Sequence, residues 1–302
     1  MNTDAPRESL PWPDSTFIPE GEGARHFLGS HWEPFAEDST EILKRLPEFL
    51  GNALVQAGYG EFRKPPRAVP GEWPQGLQLV WPLRVQGLAM VVRTERQGNT
   101  LVSVFPFFVT GSQQTLTLRD VVVWENGVEA QITAGWGEGE ITFFDTQFTT
   151  NRGWYEAGRR YDFILSGIAY DARPAEDRRI QFNHPPEVLA ALNLHRRAGE
   201  PPRENPATLS FEGAAVFLPI RNSDADDYNF RAPVKSVEKF EDWLGQDGWR
   251  VRATVMRFGD EDGDLDILIT ERAWSGKAPP RVGQDIEGGL WLQGYLWMAR
   301  DS

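Results

Sequence analysis

From about Leu77 onward, the apolar residues of this chain follow the two-residue period of β-strands. A period of two places successive side chains on opposite faces of an extended backbone, whereas helical side chains recur at intervals of three and four. The pattern predicts strands at 77–81, 87–93, 101–109, 115–124, 128–134, 140–148, 160–170, 208–220, 228–237, 249–258, 264–274 and 286–297. We therefore expect a mainly β protein, with a strand content above the roughly 20–25% that is usual in soluble proteins.

Sequence signals predict complete helices in only two segments. Asp38 is a candidate N-cap with Glu41 three residues later, and these signals predict a helix over about 38–57. Prolines at the start and a glycine past the end predict a second helix over about 185–198. A helical turn is also expected near 238–244.

Proline-rich and glycine-rich segments divide the chain into four parts. A length of 302 residues exceeds what one hydrophobic core usually holds, so more than one domain is expected. The predicted parts are an N-terminal arm and helix at 1–76, a first β domain at 77–175, a helical connector at 176–207 and a second β domain at 208–302. About five strands per β domain, with a glycine-rich hairpin and a long loop before the last strand, suit a small β-barrel, and the OB type is the candidate topology.

A weak internal repeat relates the two predicted β domains. An ungapped offset of 125 residues aligns hairpin with hairpin and last strand with last strand. Sequence identity is only slightly above chance, so the matched turns and strands carry the prediction of a duplication. The aligned pairs include Trp124 with Trp249, Gly158 with Gly283, and Tyr170 with Tyr295.

The last predicted strand is apolar on both faces. In 290–298, leucines alternate with Trp291, Tyr295 and Trp297, so both faces need cover. Neighbouring aromatic rings are also suited to stacking on sugars, bases or peptides, which makes these three residues candidate ligand-binding residues. Burial against another part of the protein or a partner chain is the simpler interpretation, because soluble monomers rarely expose such a patch.

The formal net charge of −13 and the absence of cysteine limit the function classes. Nucleic-acid binders need cationic surfaces that displace counterions from phosphates, so the charge disfavours binding to nucleic acid or to an anionic membrane. Without cysteine there is no disulfide and no thiolate metal site. The sequence shows no signal segment, membrane span or cofactor motif, so we expect a cytoplasmic protein without a cofactor.

Asp145 is the carboxylate with the strongest case for catalysis. It follows Phe143 and Phe144, and a desolvated carboxyl group has a raised pKa that suits a general acid. Glu138 and Glu140 are the candidates for the second carboxylate that glycoside hydrolysis requires. A structural role is the simpler interpretation, because an aspartate at a strand end commonly accepts backbone N–H bonds.

No metal site is predicted. Asp260, Asp262, Asp264 and Glu271 match four positions of an EF-hand loop, but Leu265 stands where that loop requires glycine. The flanking residues alternate as strands, so these acids are expected at the tip of a hairpin. The sequence also contains four histidines, and neither the spacing of metal ligands nor the order of a catalytic triad is found among them: His26, His31, His184 and His195.

The composition and patterns favour a non-enzymatic binding or scaffold protein that acts on protein or peptide partners, and they are compatible with an oligomer. The alternative is a carboxylate-based hydrolase centred near Asp145, with carbohydrate as the candidate substrate. A third hypothesis, nucleic-acid binding through an OB-like surface, rests on fold analogy alone.

Overall fold

The computed structural model describes residues 15–19, 30–56, 73–176, 179–197 and 199–299. Within these ranges 56% of the residues lie in strands, which confirms the prediction of a mainly β protein. Every helix in these ranges is too short or too polar to cross a membrane.

Helices are short within the described ranges. They are α1 (Thr40–Lys44), α2 (Leu46–Gly51), α3 (Phe148–Asn151) and α4 (Pro186–Leu194), with single 3-10 turns at Ser30–Trp32 and Arg152–Trp154. The predicted helix over 38–57 is therefore wrong in length, and its last residue lies outside the described ranges. Pro47 explains the break, because proline lacks an N–H and clashes with the carbonyl four residues earlier. The first helix consequently ends at Lys44.

Strands of the described ranges form three sheets. Their bounds are β1 (Phe17–Pro19), β2 (Leu54–Val55), β3 (Gln75–Pro82), β4 (Gln86–Glu95), β5 (Gly98–Phe108), β6 (Ser112–Val123), β7 (Ala130–Trp136), β8 (Gly139–Asp145), β9 (Arg160–Pro174), β10 (Arg179–Phe182), β11 (Ala207–Ser210), β12 (Val216–Pro219), β13 (Asp227–Trp243), β14 (Gln246–Phe258), β15 (Glu261–Thr270) and β16 (Asp285–Ala299). A four-stranded antiparallel sheet has the order β2-β3-β4-β5, and β10 pairs with β11. The remaining strands form one ten-stranded sheet in the order β1-β6-β7-β8-β16-β9-β15-β14-β13-β12.

Two 15-residue strands, β9 and β16, run antiparallel in the middle of the ten-stranded sheet. Gly167 and Leu292 lie opposite each other near the centre of the pair. The edge of β9 that faces away from β16 pairs first with β6 and then with β15. The edge of β16 that faces away from β9 pairs first with β13 and then with β8. Each of the two strands therefore pairs with strands from both parts of the chain.

The ten-stranded sheet joins residues from the two predicted β domains, 77–175 and 208–302. Across the predicted boundary, β8 pairs with β16, and β9 pairs with both β15 and β16. The strands β3, β4 and β5 belong to the separate four-stranded sheet. The domain boundaries stay a prediction, but strands on the two sides of 176–207 are hydrogen-bonded to each other.

Two cores lie on opposite faces of β16. Leu290, Leu292 and Leu296 belong to the inner core, which is formed largely by the strands of the ten-stranded sheet. Trp291 belongs to the outer core, where the four-stranded sheet contributes Phe105 against its ring. The predicted burial of the last strand on both faces is therefore confirmed, and the four-stranded sheet covers the second face.

β13 is longer than the sequence pattern predicts. Residues 238–244, predicted as a helical turn, instead continue the strand to Trp243, because Phe240 and Trp243 are buried in the outer core. The chain then reverses through Leu244 and Gly245, which both have positive φ, as a type I′ turn requires.

The segment 208–220 also differs from the prediction. It forms β11 and β12, which are separated by a turn in which Gly213 has a φ of 69°. β11 pairs with β10 outside the large sheet, whereas β12 pairs with β13 at the edge of that sheet. The single predicted strand is therefore two short strands with different partners.

Replacing Gly288 by alanine tests the register of β9 and β16. A Cβ atom at this position would lie 2.0 Å from the backbone oxygen of Asp171 on β9, so the two strands would have to move apart. We expect Gly288→Ala to lower the free energy of unfolding by about 1–3 kcal/mol, measured by urea denaturation. Gly51→Ala is the control, because a Cβ atom there meets nothing within 4 Å. Equal denaturation midpoints for the two variants would contradict the register.

Candidate functional site

The fold separates the carboxylates that the sequence suggests for catalysis. Asp145 is buried at the end of β8, with 2% of its surface exposed. Glu138 and Glu140 are exposed at the hairpin between β7 and β8. Glu140 lies five positions before Asp145 along an extended strand, which corresponds to about 16 Å, whereas paired glycosidase carboxylates lie roughly 5–9.5 Å apart. These three side chains do not form a glycosidase-like pair in this fold.

Asp145 accepts two hydrogen bonds beside the inner core. Tyr155 Oη donates to Oδ2 at 2.5 Å, and the backbone N–H of Gln147 donates to Oδ1 at 2.9 Å. Burial raises the pKa of Asp145 to about 7, although both hydrogen bonds act to lower it. Burial, together with the neighbouring carboxylate, raises the pKa of Tyr155 well above its usual value. A buried Asp145 with these partners is better placed to hold a proton in the interior than to contact a substrate.

The three aromatic candidates of the last strand differ in exposure. Trp291 is fully buried, Tyr295 is 6% exposed and Trp297 is half-buried. Tyr295 Oη donates a hydrogen bond of 2.8 Å to the carbonyl of Val109, just beyond β5. The predicted burial is confirmed for Trp291 and Tyr295, and ligand binding by any of the three stays a prediction.

The acidic run near residue 262 lies at the hairpin between β14 and β15, as the strand pattern predicts. Lys235 on β13 donates to Asp262 at 2.8 Å and to Asp264 at 2.9 Å, and the hydrogen bond from Lys235 lowers the pKa of Asp262. Asp260 and Glu271 are exposed near the two ends of β15. Lys235 supplies positive charge at this hairpin together with Arg257, whose Nε lies 3.3 Å from Oδ1 of Asp262.

His31 is a buried histidine that its sequence context does not distinguish from the others. It lies in the 3-10 turn Ser30–Trp32 with 2% of its surface exposed. Its ring stacks on Trp291, with centroids 3.9 Å apart and planes 3° apart, and it lies nearly parallel to Tyr170 at 5.8 Å. His184 is half-buried and His195 is exposed, whereas His26 lies outside the described residues.

An acid–histidine cluster, defined as His31, Asp224, Asp226 and Asp227, forms where the N-terminal segment meets the start of β13. One donor atom from each of His31, Asp224 and Asp227 lies within 4.8 Å of the others. Asp226 and Asp227 are buried, whereas Asp224 is half-buried. The cluster therefore combines an imidazole and carboxylates, which are metal-ligating groups, at a partly accessible position.

Hydrogen bonds fix the two buried aspartates of this cluster. Asp227 accepts hydrogen bonds from Tyr170 Oη and Ser223 Oγ, and Asp226 accepts one from Trp291 Nε1 at 3.0 Å. Burial raises the pKa of Asp226 to about 6. Burial also acts to raise the pKa of Asp227, but the neighbouring His31 ring and the hydrogen bonds from Ser223 and Tyr170 outweigh burial and lower this pKa.

Sequence reasoning misses this cluster because nearly 200 residues separate His31 from the three aspartates (224 − 31 = 193). The local signal is three aspartates in the four residues 224–227. Nothing in that run points to His31, which lies in an irregular segment that meets the start of β13 only in the folded chain.

The arm is defined as residues 176–210; its described residues lie outside both cores and include β10, α4 and β11. The described residues from 173 to 225 include no buried residue. A cavity of about 530 Å³ lies where the arm begins, next to Arg179. Its lining includes the charged side chains of Arg231 and Asp285, so this cavity is polar. Apolar side chains of the arm with 40–80% exposure are Ile180, Phe182, Val188, Leu194 and Leu209.

The pKa of Asp145 predicts a dependence of stability on pH. The folded chain raises this pKa from the ordinary 3.8 to about 7, so the folded state binds the proton more tightly than the unfolded state. The stabilising contribution is complete below about pH 4 and is lost as the pH rises to about 7. We expect this loss to be on the order of a few kcal/mol in the wild type and absent from Asp145→Asn, whose amide oxygen can accept from the N–H of Gln147 and whose NH2 group can donate to Tyr155 Oη. Urea denaturation at several pH values measures it, and parallel pH profiles for the two proteins would contradict the assignment.

Comparisons with known proteins assign neither the acid–histidine cluster nor the arm to a family. No family model, curated protein or solved structure matches this chain. Function is therefore inferred from the chemistry and exposure of the described residues.

Proposed function

We propose that this chain is a binding scaffold whose arm docks on a protein or peptide partner. The observation that carries the proposal is that the described part of 173–225 buries no residue, although the arm exposes five large apolar side chains. A two-stranded ribbon and a nine-residue helix have little stability in water on their own. Contact with a partner would bury these side chains and stabilise both elements.

The charge of the arm also supports a protein partner. Residues 176–210 contain five arginines and five acidic residues, so their formal charges cancel (5 − 5 = 0), in a chain with a net charge of −13. A surface without net charge that exposes leucine, isoleucine and phenylalanine side chains can pack against the apolar surface of a protein partner. A nucleic acid would instead require a cationic surface.

We infer that eight strands of the ten-stranded sheet, β6 to β9 and β13 to β16, form a pair of five-stranded barrels that share β9 and β16. β6, β7 and β8 pair in succession, β8 pairs with β16, and β9 pairs with both β16 and β6, so the series returns to its start. β13, β14 and β15 make the same series of pairings with β9 and β16. Such a closed platform would hold the arm in a fixed place, and its relation to the OB type stays a proposal.

An internal duplication would account for the matching pairings. Gly158 and Gly283, which an offset of 125 residues aligns, have φ values of 83° and 80°. The N–H of Gly158 donates to the carbonyl of Leu118 on β6, and the N–H of Gly283 donates to that of Val234 on β13. The bounds of β9 and β16 differ by the same offset at both ends (285 − 160 = 125 and 299 − 174 = 125).

The hydrolase hypothesis takes second place. Asp145 has the raised pKa of a general acid, but the candidate partners Glu138 and Glu140 lie at the far end of β8. Nucleic-acid binding takes third place, because the net charge of −13 opposes it.

Site-specific photocrosslinking tests the docking role of the arm. A photoreactive phenylalanine analogue is placed at Leu194, which is 80% exposed, and the full chain is expressed in the cells that naturally produce it. Val282 is the matched control position, because it is an apolar residue with 66% exposure outside the arm. We expect discrete crosslinked protein species from position 194 that position 282 does not give.

Substitution of two other arm residues tests whether such a contact is specific. Phe182→Ser combined with Leu209→Ser should lower the crosslinking yield at position 194 by about 10-fold, because buried apolar anchors dominate interface energies. Sedimentation velocity of the purified chain tells whether the partner is a second copy. Identical crosslinked species at positions 194 and 282, or a yield that the double variant leaves unchanged, would contradict docking through the arm.

A further inference from the structure

We propose that His31, Asp224 and Asp227 bind a divalent transition-metal ion. One donor atom from each of these side chains lies within 4.8 Å of the others. His31 comes from the 3-10 turn Ser30–Trp32, and the two aspartates come from the start of β13 and the turn before it. The proposal concerns a different part of the molecule from the arm and does not depend on a partner of the arm.

The buried ring of His31 is a second, independent observation. Only 2% of the residue is exposed, and neither ring nitrogen has a hydrogen-bond partner within the described part of the chain. Nε2 lies 3.8 Å from Oδ1 of Asp227, which is longer than a hydrogen bond. A buried polar atom without a partner costs free energy, and coordination of a metal would satisfy the ring nitrogen.

The spacing of the donors fits an ion between them. Two donors that each lie about 2.1 Å from a tetrahedral ion are about 3.4 Å apart. The 3.8 Å between Nε2 of His31 and Oδ1 of Asp227 therefore needs to shorten by only a few tenths of an ångström. Asp224 is half-buried, so this side of the cluster is accessible to an ion from solvent.

The charge of the cluster also favours a cation. Asp226 adds a third, buried carboxyl group near His31. Trp291 donates to its Oδ2, whereas Oδ1 has no hydrogen-bond partner within the described residues. The buried carboxyl groups of Asp226 and Asp227 beside one imidazole concentrate negative charge in a poorly solvated place, and a divalent ion offsets that charge.

Tyr170 and Ser223 are positioning residues for this site. Tyr170 Oη donates to Oδ1 of Asp227, and Ser223 Oγ donates to Oδ2, so both carboxylate oxygens are held in place. Trp291 fixes the plane of the His31 ring by stacking on it. Hydrogen bonds of this kind orient the ligands in metal sites, and a second lone pair on each carboxylate oxygen remains for the ion.

The donor set selects the class of metal. One imidazole nitrogen with two carboxylates suits Zn²⁺, Mn²⁺ or Fe²⁺, whereas Mg²⁺ and Ca²⁺ prefer oxygen donors alone. Three protein donors leave at least one coordination position for water or another ligand.

Calorimetric titration of the full, metal-free chain with Zn²⁺ and with Mn²⁺ tests the site. We expect one ion per chain and an affinity that Asp224→Asn lowers by about 10-fold or more. Because Asp224 is half-buried, its substitution should preserve the fold, which circular dichroism checks. His184→Gln and Asp262→Asn are the controls, because His184 lies on the arm and Asp262 pairs with Lys235, and both should retain the wild-type affinity.

A spectroscopic probe separates ligation from an indirect structural effect. With Co²⁺ bound, the wild type should show visible absorption bands that His31→Gln shifts or removes, whereas His184→Gln should keep them. The absence of one-to-one binding by Zn²⁺, Mn²⁺ and Co²⁺, or equal affinities of Asp224→Asn and the two controls, would overturn the proposal. Binding of Mg²⁺ as tight as that of Zn²⁺ would overturn the assignment to a transition metal.

Discussion

The antiparallel pairing of β9 with β16 is the interaction on which the rest of this structure depends. Each strand uses one edge for the other strand and its second edge for strands from both parts of the chain. The faces of β16 are covered as well, since Leu292 lies in the inner core and Trp291 in the outer core. Neither part of the chain therefore completes its sheet without a strand from the other.

Trp291 connects this central pair to the acid–histidine cluster. Its ring packs in the outer core, stacks on His31 and donates a hydrogen bond to Asp226. The same residue therefore contributes to the packing of the two sheets and to the position of the cluster. The arm has no comparable cover, because the described part of 173–225 buries no residue. This contrast in burial supports the proposals that the arm binds a partner and that the cluster binds a metal ion.

The sequence predicts which faces of a strand are buried, but it does not predict which strands pair along its edges. The alternation around Trp291 predicts cover on both faces, and the structure confirms it. A period of two is the same whichever strand lies alongside, so it carries no information about the pairing of β9 with β15. The contact between His31 and Asp227 depends on that long-range assembly and leaves no local pattern. Pro47, in contrast, is a readable signal for the end of the first helix.

Native-state hydrogen exchange on the full chain tests most directly whether the β9–β16 pair unites the two parts of the chain. The amide hydrogens of residues 163–169 and 290–296 should exchange only through global unfolding. Their free energies of opening should then be equal to each other and to the free energy of unfolding from urea denaturation. If the amides of β13 to β16 exchange at a clearly lower free energy of opening than those of β6 to β9, the two parts unfold separately and the pair does not unite them.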